Sequence, residues 1–219
     1  MTWITHAELR RDTPQARQLA ACLVQGSGSA GHNLVWNLFA DDPDATRDFL
    51  YREIAPGRFI VVSARPPAGL PEVWTMTSKP YAPRISAGDD FAFMLRAQPT
   101  VALSQPGRAR SLRRDVFIHA KKRKGGPLSA CERQAVALEW LFAREDRLGV
   151  AFDRERCGMM RDDTLTPKPA TAPRARMQVA DFEGRLSVRD PARLTAALTA
   201  GVGPGKAYGL GLLLLKPAG

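Results

Sequence analysis

Three histidines occur in the chain, His6, His32 and His119, and they are its candidates for proton transfer at neutral pH, because an unperturbed imidazole titrates at about 6.5. His6 falls in the apolar, β-branched stretch Trp3 to Leu9, which reads as a strand and gives it a structural or exposed place. His119 sits in "FIHAKKRKGG" among cations, where phosphate contact suits it better than acid–base work. His32 follows the flexible run "GSGSAG" and opens a helical pattern carried by Leu34, Trp36, Leu38 and Phe39. On these residues alone two readings stand: a half-buried histidine at a helix end, the commoner case, or a general acid or base. A helix amino end would lower its pKa and a bound phosphate would raise it.

The second candidate is "GVGPGKAYGLGLLLL", residues 201 to 215. Glycine-rich loops with a lysine commonly cradle phosphates, but in nucleotide-binding folds such a loop follows a strand and opens a helix. Here it leaves a helix and enters a strand. Gly205-Lys206 is followed by Ala207 rather than Ser or Thr, Ala200 stands at the first Walker glycine, and Lys206 replaces the third Rossmann glycine. A nucleotide cofactor is thereby excluded. What remains is a loop whose exposed N–H groups suit an anion, with Gly203, Gly205, Lys206 and Tyr208 as its binding residues. A tight helix-to-strand turn around Pro204 needs fewer than the five glycines found between 201 and 211.

Charge points the same way. A formal net charge of +10 and a pI near 10.1, with 44% hydrophobic residues, describe a folded protein suited to a polyanionic partner. The positive residues cluster. Arg108, Arg110, Arg113, Arg114, Lys121, Lys122, Arg123 and Lys124 form one tract, and Lys168, Arg174 and Arg176 border the proline-rich "TPKPATAPRARMQ". A lone charge run is usually a solvated face, whereas two in one half favour phosphate binding.

Cys22, Cys131 and Cys157 are odd in number and widely spaced, which argues against a disulfide framework or zinc site. No H-E-x-x-H motif or metal-spaced carboxylate cluster occurs, and the Asp pairs at 41, 89 and 162 read as loop and cap chemistry, so no cofactor or metal is expected. The amino-terminal stretch lacks a signal-like apolar core and the longest apolar run, "LLLL", cannot cross a bilayer. The expectation is a soluble, cytoplasmic protein with no membrane partner.

These residues must be positioned by an ordered series of elements. After the strand at Trp3 to Leu9 comes a helix from Pro14 to Val24, then the His32 helix, and a short helix started by Asp41 or Asp42 before Pro43. "GRFIVVSARPP" and "VWTMTSKPY" are β-rich and complete a small mixed unit by Ser86. In the second half "DDFAFMLRAQPTVAL" reads as a strand. Ser129 and Glu132 form a capping box for a helix whose Cys131, Ala135, Leu138 and Phe142 share one face. "VAFDRERCGMM" and "RARMQVADFEGRLSV" read as strands, with a bulge at Glu183-Gly184. Asp190 caps a final helix with Pro191 at its first position, Leu194, Ala197 and Leu198 inward, and Gly201 as its stop, before a strand Leu210 to Leu215. This order is β-α-β-β-α-β. It predicts an α+β protein of tandem ferredoxin-like (RRM-like) domains, residues 1–86 carrying His32 and residues 87–219 carrying the basic segments and glycine loop.

The glycine loop, "GHNLVWNLFADDPDATRDFLYR", "FAFMLRAQPTVAL" and "VADFEGRLSVRDPARLTAALTA", in this order along nearly the whole chain, resemble the RAMP proteins and within them the CasE endoribonucleases of type I-E CRISPR systems. The resemblance implies tandem ferredoxin-like domains, metal-independent cleavage of a CRISPR repeat RNA stem-loop, and partnership with the other Cascade subunits. It places His32 on the family's catalytic histidine. RNA carries its own nucleophile, so a histidine need only help the 2′-hydroxyl attack the adjacent phosphate or protonate the departing 5′-oxygen. The resemblance also assigns Lys168, Arg174 and Arg176 to a basic hairpin entering the groove of the stem, where A-form geometry restricts readout to phosphates, shape and a few arginines. One departure stands out. The family carries a tyrosine three residues before this histidine, and here the position is Ser29, a poor replacement for a phenol. A non-catalytic RNA-binding subunit is the competing reading.

Overall fold

The first strand shows how the amino-terminal half is assembled. In β1 (Trp3–Leu9) Thr5, Ala7 and Leu9 are buried while His6 is exposed, the alternation of a half-buried strand. The computed structural model describes residues 1–25, 30–39, 46–103, 112–166 and 176–218. The expected helix start at Asp41 to Pro43 and the basic residues Arg108 and Arg110 lie outside them. After β1 come α1 (Pro14–Gln25) and α2 (Ala30–Trp36), which ends in a 3-10 turn (Asn37–Phe39). Three strands follow, β2 (Phe49–Ala55), β3 (Arg58–Ser63) and β4 (Trp74–Pro80). The antiparallel order is β2-β3-β1-β4. "FLYREI", to which the sequence assigned no strand, is therefore part of the sheet. Its first four residues are all buried, which removes the alternation that marks a strand in sequence.

The carboxy-terminal half contains β5 (Asp90–Ala97), β6 (Thr100–Leu103), β7 (Leu112–Asp115), α3 (Val116–Lys124), α4 (Ala130–Phe142), α5 (Glu145–Leu148), β8 (Val150–Phe152), β9 (Gly158–Leu165), β10 (Met177–Val188), α6 (Pro191–Ala200) and β11 (Leu213–Pro217). Its main sheet has the order β11-β5-β10-β8, with β9 continuing β8 along β10. The stretch 90–103, expected as one strand, is two. It breaks at Gln98-Pro99, after which β6 turns away to pair with β7 in a separate ribbon.

Caps form where the sequence placed them. Ser129 and Glu132 satisfy each other's backbone N–H groups at α4, and the Asp190 side chain accepts from Ala192 and Arg193 at α6. The face of α4 is corrected in part: Leu138 and Phe142 are half-buried against the core, but Cys131 and Ala135 are exposed, and the residues fully buried are Ala137, Trp140 and Leu141. The irregularity in the β9–β10 pairing is also displaced. Asp181 faces Arg161 and Phe182 faces Met159, so the extra residue is Met160 on β9. Gly184 keeps register for another reason, since a Cβ there would lie 2.5 Å from the Cys157 sulfur. The last strand begins at Leu213, because 209–212 belong to the glycine loop.

Two cores fill the two halves, one around Phe39, Phe59 and Trp74, the other around Phe93, Phe182 and Leu194. A third cluster joins them: Leu50 and Val62 pack on Leu212. Beside it Arg52, 8% exposed, reaches Asp181 at 3.3 Å, and Arg96 reaches the same carboxylate at 2.5 Å. Among the described residues no helix is long and apolar enough to cross a membrane.

Candidate functional site

The glycine loop occupies the junction of the halves. Gly201, Gly203, Gly205, Gly209 and Gly211 all have positive φ, so backbone conformation accounts for the glycines beyond those a tight turn needs. Two positions are also sterically closed. A Cβ on Gly209 would stand 2.9 Å from the Tyr51 ring, and one on Gly211 would stand 2.7 Å from the Val202 carbonyl oxygen. Tyr51 of β2 donates its hydroxyl to the Ala207 carbonyl at 3.1 Å and so ties the loop to the amino-terminal sheet. Burial pushes the Tyr51 phenol up, with Glu53 adding to the effect, so it stays protonated and able to donate.

His32 lies one helical turn before Trp36 on α2, and this spacing lets the two side chains meet. Trp36 Nε1–H donates to His32 Nε2 at 2.9 Å. Indole can only donate, so the neutral imidazole carries its proton on Nδ1, which is buried without a hydrogen-bond partner among the described residues. Phe49 stands against both rings, with centroids 6.3 Å from His32 and 5.2 Å from Trp36. Burial, followed by the nearby Arg47 cation, holds the imidazole pKa below its ordinary value. His32 is half-buried, and Gly31 beside it lies under the Tyr51 hydroxyl, where a Cβ would be 3.5 Å away. The histidine helix, β2 and the 3-10 turn Lys206–Tyr208 of the glycine loop thus meet in one place.

From the loop a cavity of about 800 Å³ opens along α6 and the β6–β7 ribbon. Six cations among the described residues line it: Arg47, Arg113, Arg144, Arg147, Arg193 and Lys206. No acidic residue is among the described residues that line it. Lys206 Nζ donates to the Ala200 carbonyl, placing a cation at the carboxy end of α6, and burial with Arg47 and Arg147 lowers its pKa. Arg144 lies over the Trp140 ring at 3.5 Å, and burial, with Arg147 adding like-charge repulsion, brings it down to about 10.

Of the residues predicted from sequence, the structure brings Arg113, Gly203, Gly205 and Lys206 into this cavity, with Tyr208 on the same loop and within electrostatic reach of Tyr51. Arg114 is half-buried in β7. Lys121 and Lys122 stand apart, exposed in the last turn of α3, where His119 is half-buried. Arg176 is exposed at the foot of the β9–β10 hairpin, one residue before β10. Ser29, Lys168 and Arg174 lie outside the described residues. His6 is exposed on β1, as expected of a histidine with no part in the site. Arg47, Arg144, Arg147 and Arg193 were missed by the sequence reading. Each has an acidic neighbour in sequence, in "TRDF", "AREDRL" and "RDPAR", so the stretches read as mixed-charge surface.

A curated relative, the CRISPR-associated endoribonuclease Cse3 of Thermus thermophilus, is 33% identical over 144 residues, covering 64% of this chain and 61% of the relative. The Cascade subunit CasE of Escherichia coli is 27% identical over 195 residues, covering 85% of this chain and 90% of that protein. A structure of Thermus thermophilus Cse3 bound to an RNA representing a pre-cleavage complex superposes with a TM-score of 0.71 at 26% identity, covering 99% of both chains. The family described as CRISPR associated protein matches residues 2–217, nearly the entire chain, and the protein belongs to that family.

Proposed function

We propose that the chain is a metal-independent endoribonuclease that cuts CRISPR precursor RNA at the repeat stem-loop and keeps the product as a Cascade subunit. The observation that carries the reading is the contact of the His32 helix with the glycine loop, which itself lines a cationic cavity, in a chain similar along its whole length to an RNA-bound endoribonuclease. In the reaction the 2′-oxygen bonds to phosphorus, the bond from phosphorus to the 5′-oxygen breaks, and the product is a 2′,3′-cyclic phosphate. His32 Nε2, already an acceptor, takes the 2′-hydroxyl proton once RNA displaces the Trp36 N–H; the imidazolium so formed can protonate the leaving oxygen. Arg47 and Lys206 are the cations placed to offset charge on the phosphate. The stem belongs on the β9–β10 hairpin, with Arg176 at its foot and Lys168 and Arg174 on the connecting segment.

Each half is read as a ferredoxin-like unit, divided near residue 86, and the working compartment as the cytoplasm. The support for the unit is strand order: β2-β3-β1-β4 and β11-β5-β10-β8 have the same pattern. In the first half the β3–β4 connection, residues 64–73, contains no helix.

A non-catalytic RNA-binding subunit is the second reading, favoured by Ser29 in place of a phenol and by a histidine with one nitrogen engaged and the other buried. The deciding experiment incubates the protein in EDTA with its host's repeat hairpin, beside the same RNA carrying a 2′-deoxy nucleotide at the cleavage position. Cleavage of the first alone, abolished by His32→Ala, is the expected result. Binding of both without cleavage, or unchanged cleavage by His32→Ala, overturns the catalytic assignment.

A further inference from the structure

The cavity has more positive charge than the cutting of one linkage requires. Arg47 acts electrostatically on His32 and Lys206 belongs to the turn that meets the His32 helix, whereas Arg144 caps α5, Arg147 lies in α5 and Arg193 in α6. Gathering cations in a concave, partly buried place costs free energy unless a counter-charge is supplied. Within the protein the supply is incomplete. Arg193 pairs with Asp190 at 3.1 Å, but Arg47 Nη1 is buried with no hydrogen-bond partner among the described residues, and Arg144 spends its guanidinium on the Trp140 carbonyl and ring. The wall also contains the backbone of Gly201, Gly203 and Gly205.

We propose that this cavity binds the phosphodiester backbone of a single-stranded RNA segment adjoining the cleaved linkage. The inference rests on the endoribonuclease reading and adds to it a second site, separate from the stem. Three features select the ligand. Arg47 influences both His32 and Lys206, so a strand passing the histidine continues into the cavity without leaving positive potential. A volume of about 800 Å³ lies within the range of sites for single small ligands, so it takes a few nucleotides of one strand and not a duplex. The Trp140 face is covered by Arg144, which leaves phosphates rather than bases as the recognised groups. The site is therefore indifferent to flank sequence.

The test uses the full chain and a repeat stem-loop made uncleavable by a 2′-deoxy nucleotide, with and without a single-stranded flank on either side. The wild type binds one flanked RNA more tightly than the bare stem-loop, and scrambling the flank sequence leaves the gain intact. Arg147→Gln with Arg193→Gln, at two exposed positions, removes most of that gain and keeps affinity for the bare stem-loop. Each phosphate contact in a single strand contributes about 0.7 to the slope of log K against log salt, so the double variant lowers the slope by about 1.4. Equal affinity of the wild type for flanked and bare RNA, or an undiminished gain in the variant, overturns the proposal. So does a variant that binds both RNAs normally but fails to join its partner subunits, since the cavity would then serve a protein. Cleavage is not read out, so failure of His32 as a catalyst is a separate result; loss of stem-loop binding by the wild type would instead sink the parent reading.

Discussion

Replacing Trp36 by phenylalanine isolates what the indole N–H does to the histidine. Phenylalanine preserves an aromatic ring edge-on to Phe49, whose centroid is 5.2 Å away at 81°, while deleting the donor that reaches His32 Nε2 at 2.9 Å. A hydrogen bond to the neutral form opposes protonation, since an imidazolium nitrogen has no lone pair to accept it. It therefore adds to burial and to Arg47, which already hold the imidazole pKa down. A neutral hydrogen bond is worth about 1 kcal/mol net, so its loss favours protonation roughly fivefold. His32 in Trp36→Phe then titrates at higher pH than in the wild type. Ring-proton NMR reads this directly, because the chain has three histidines and His32→Gln assigns the signal. Stability gives an independent check. The folded pKa lies below the unfolded value, so the neutral histidine's contribution is complete above the ordinary value of about 6.5 and is lost as pH falls through the folded value. Trp36→Phe flattens that acid dependence. A His32 signal titrating at unchanged or lower pH in the variant would refute the assignment of Nε2 as the hydrogen-bonded acceptor.

Asp181→Asn leaves Arg52, 8% exposed, and Arg96 without their shared counter-charge, and the expected cost is about 3 kcal/mol, read as a lower urea midpoint with unchanged slope. Gly209→Ala forces a side chain into a left-handed conformation at φ 74° and against Tyr51, for roughly 1–3 kcal/mol; it lowers the melting temperature and slows RNA cleavage, and an unaffected rate would deny the loop a positioning role. Ser129→Ala removes half of the α4 capping box and costs about 1 kcal/mol in chemical denaturation, with Ser129→Asp recovering most of it.

What the sequence made legible is what local chemistry dictates. Ser129 with Glu132, and Asp190 with Pro191 and Gly201, set the ends of α4 and α6 because capping is settled within a few residues. The glycine loop was visible as a loop, and its order after a helix excludes a nucleotide site. β2 was not visible, because its buried run Phe49, Leu50, Tyr51 and Arg52 faces the amino-terminal core on one side and the other half on the other. Two-sided burial erases the period of two, and a buried arginine interrupts what would otherwise be an apolar run. The cation cavity was half visible. Arg113 and Lys206 belong to conspicuous basic or glycine-rich stretches, but Arg47, Arg144, Arg147 and Arg193 converge from distant elements, and some of their acidic neighbours turn elsewhere, although Asp190 stays paired with Arg193. Glu145, for instance, accepts from the Phe152 backbone at 2.7 Å and from Arg154 at 2.7 Å.

The position of the glycine loop explains why it is held so firmly. His32 belongs to the amino-terminal half, while most of the cations that line the cavity belong to the carboxy-terminal half, so the geometry between them is only as good as the junction. Covalent continuity alone does not fix it. The loop does so by contact: Tyr51 holds the Ala207 carbonyl, Gly209 packs against the Tyr51 ring, Gly201 packs against Leu50, and the Gly211 N–H donates to the Arg96 carbonyl at 2.7 Å. Arg96 in turn shares Asp181 with Arg52. A displacement of about 1 Å between catalytic groups costs on the order of 10²-fold in rate. A junction built from buried rings, positive-φ glycines and a shared carboxylate resists displacements of that size, which a flexible glycine linker would allow.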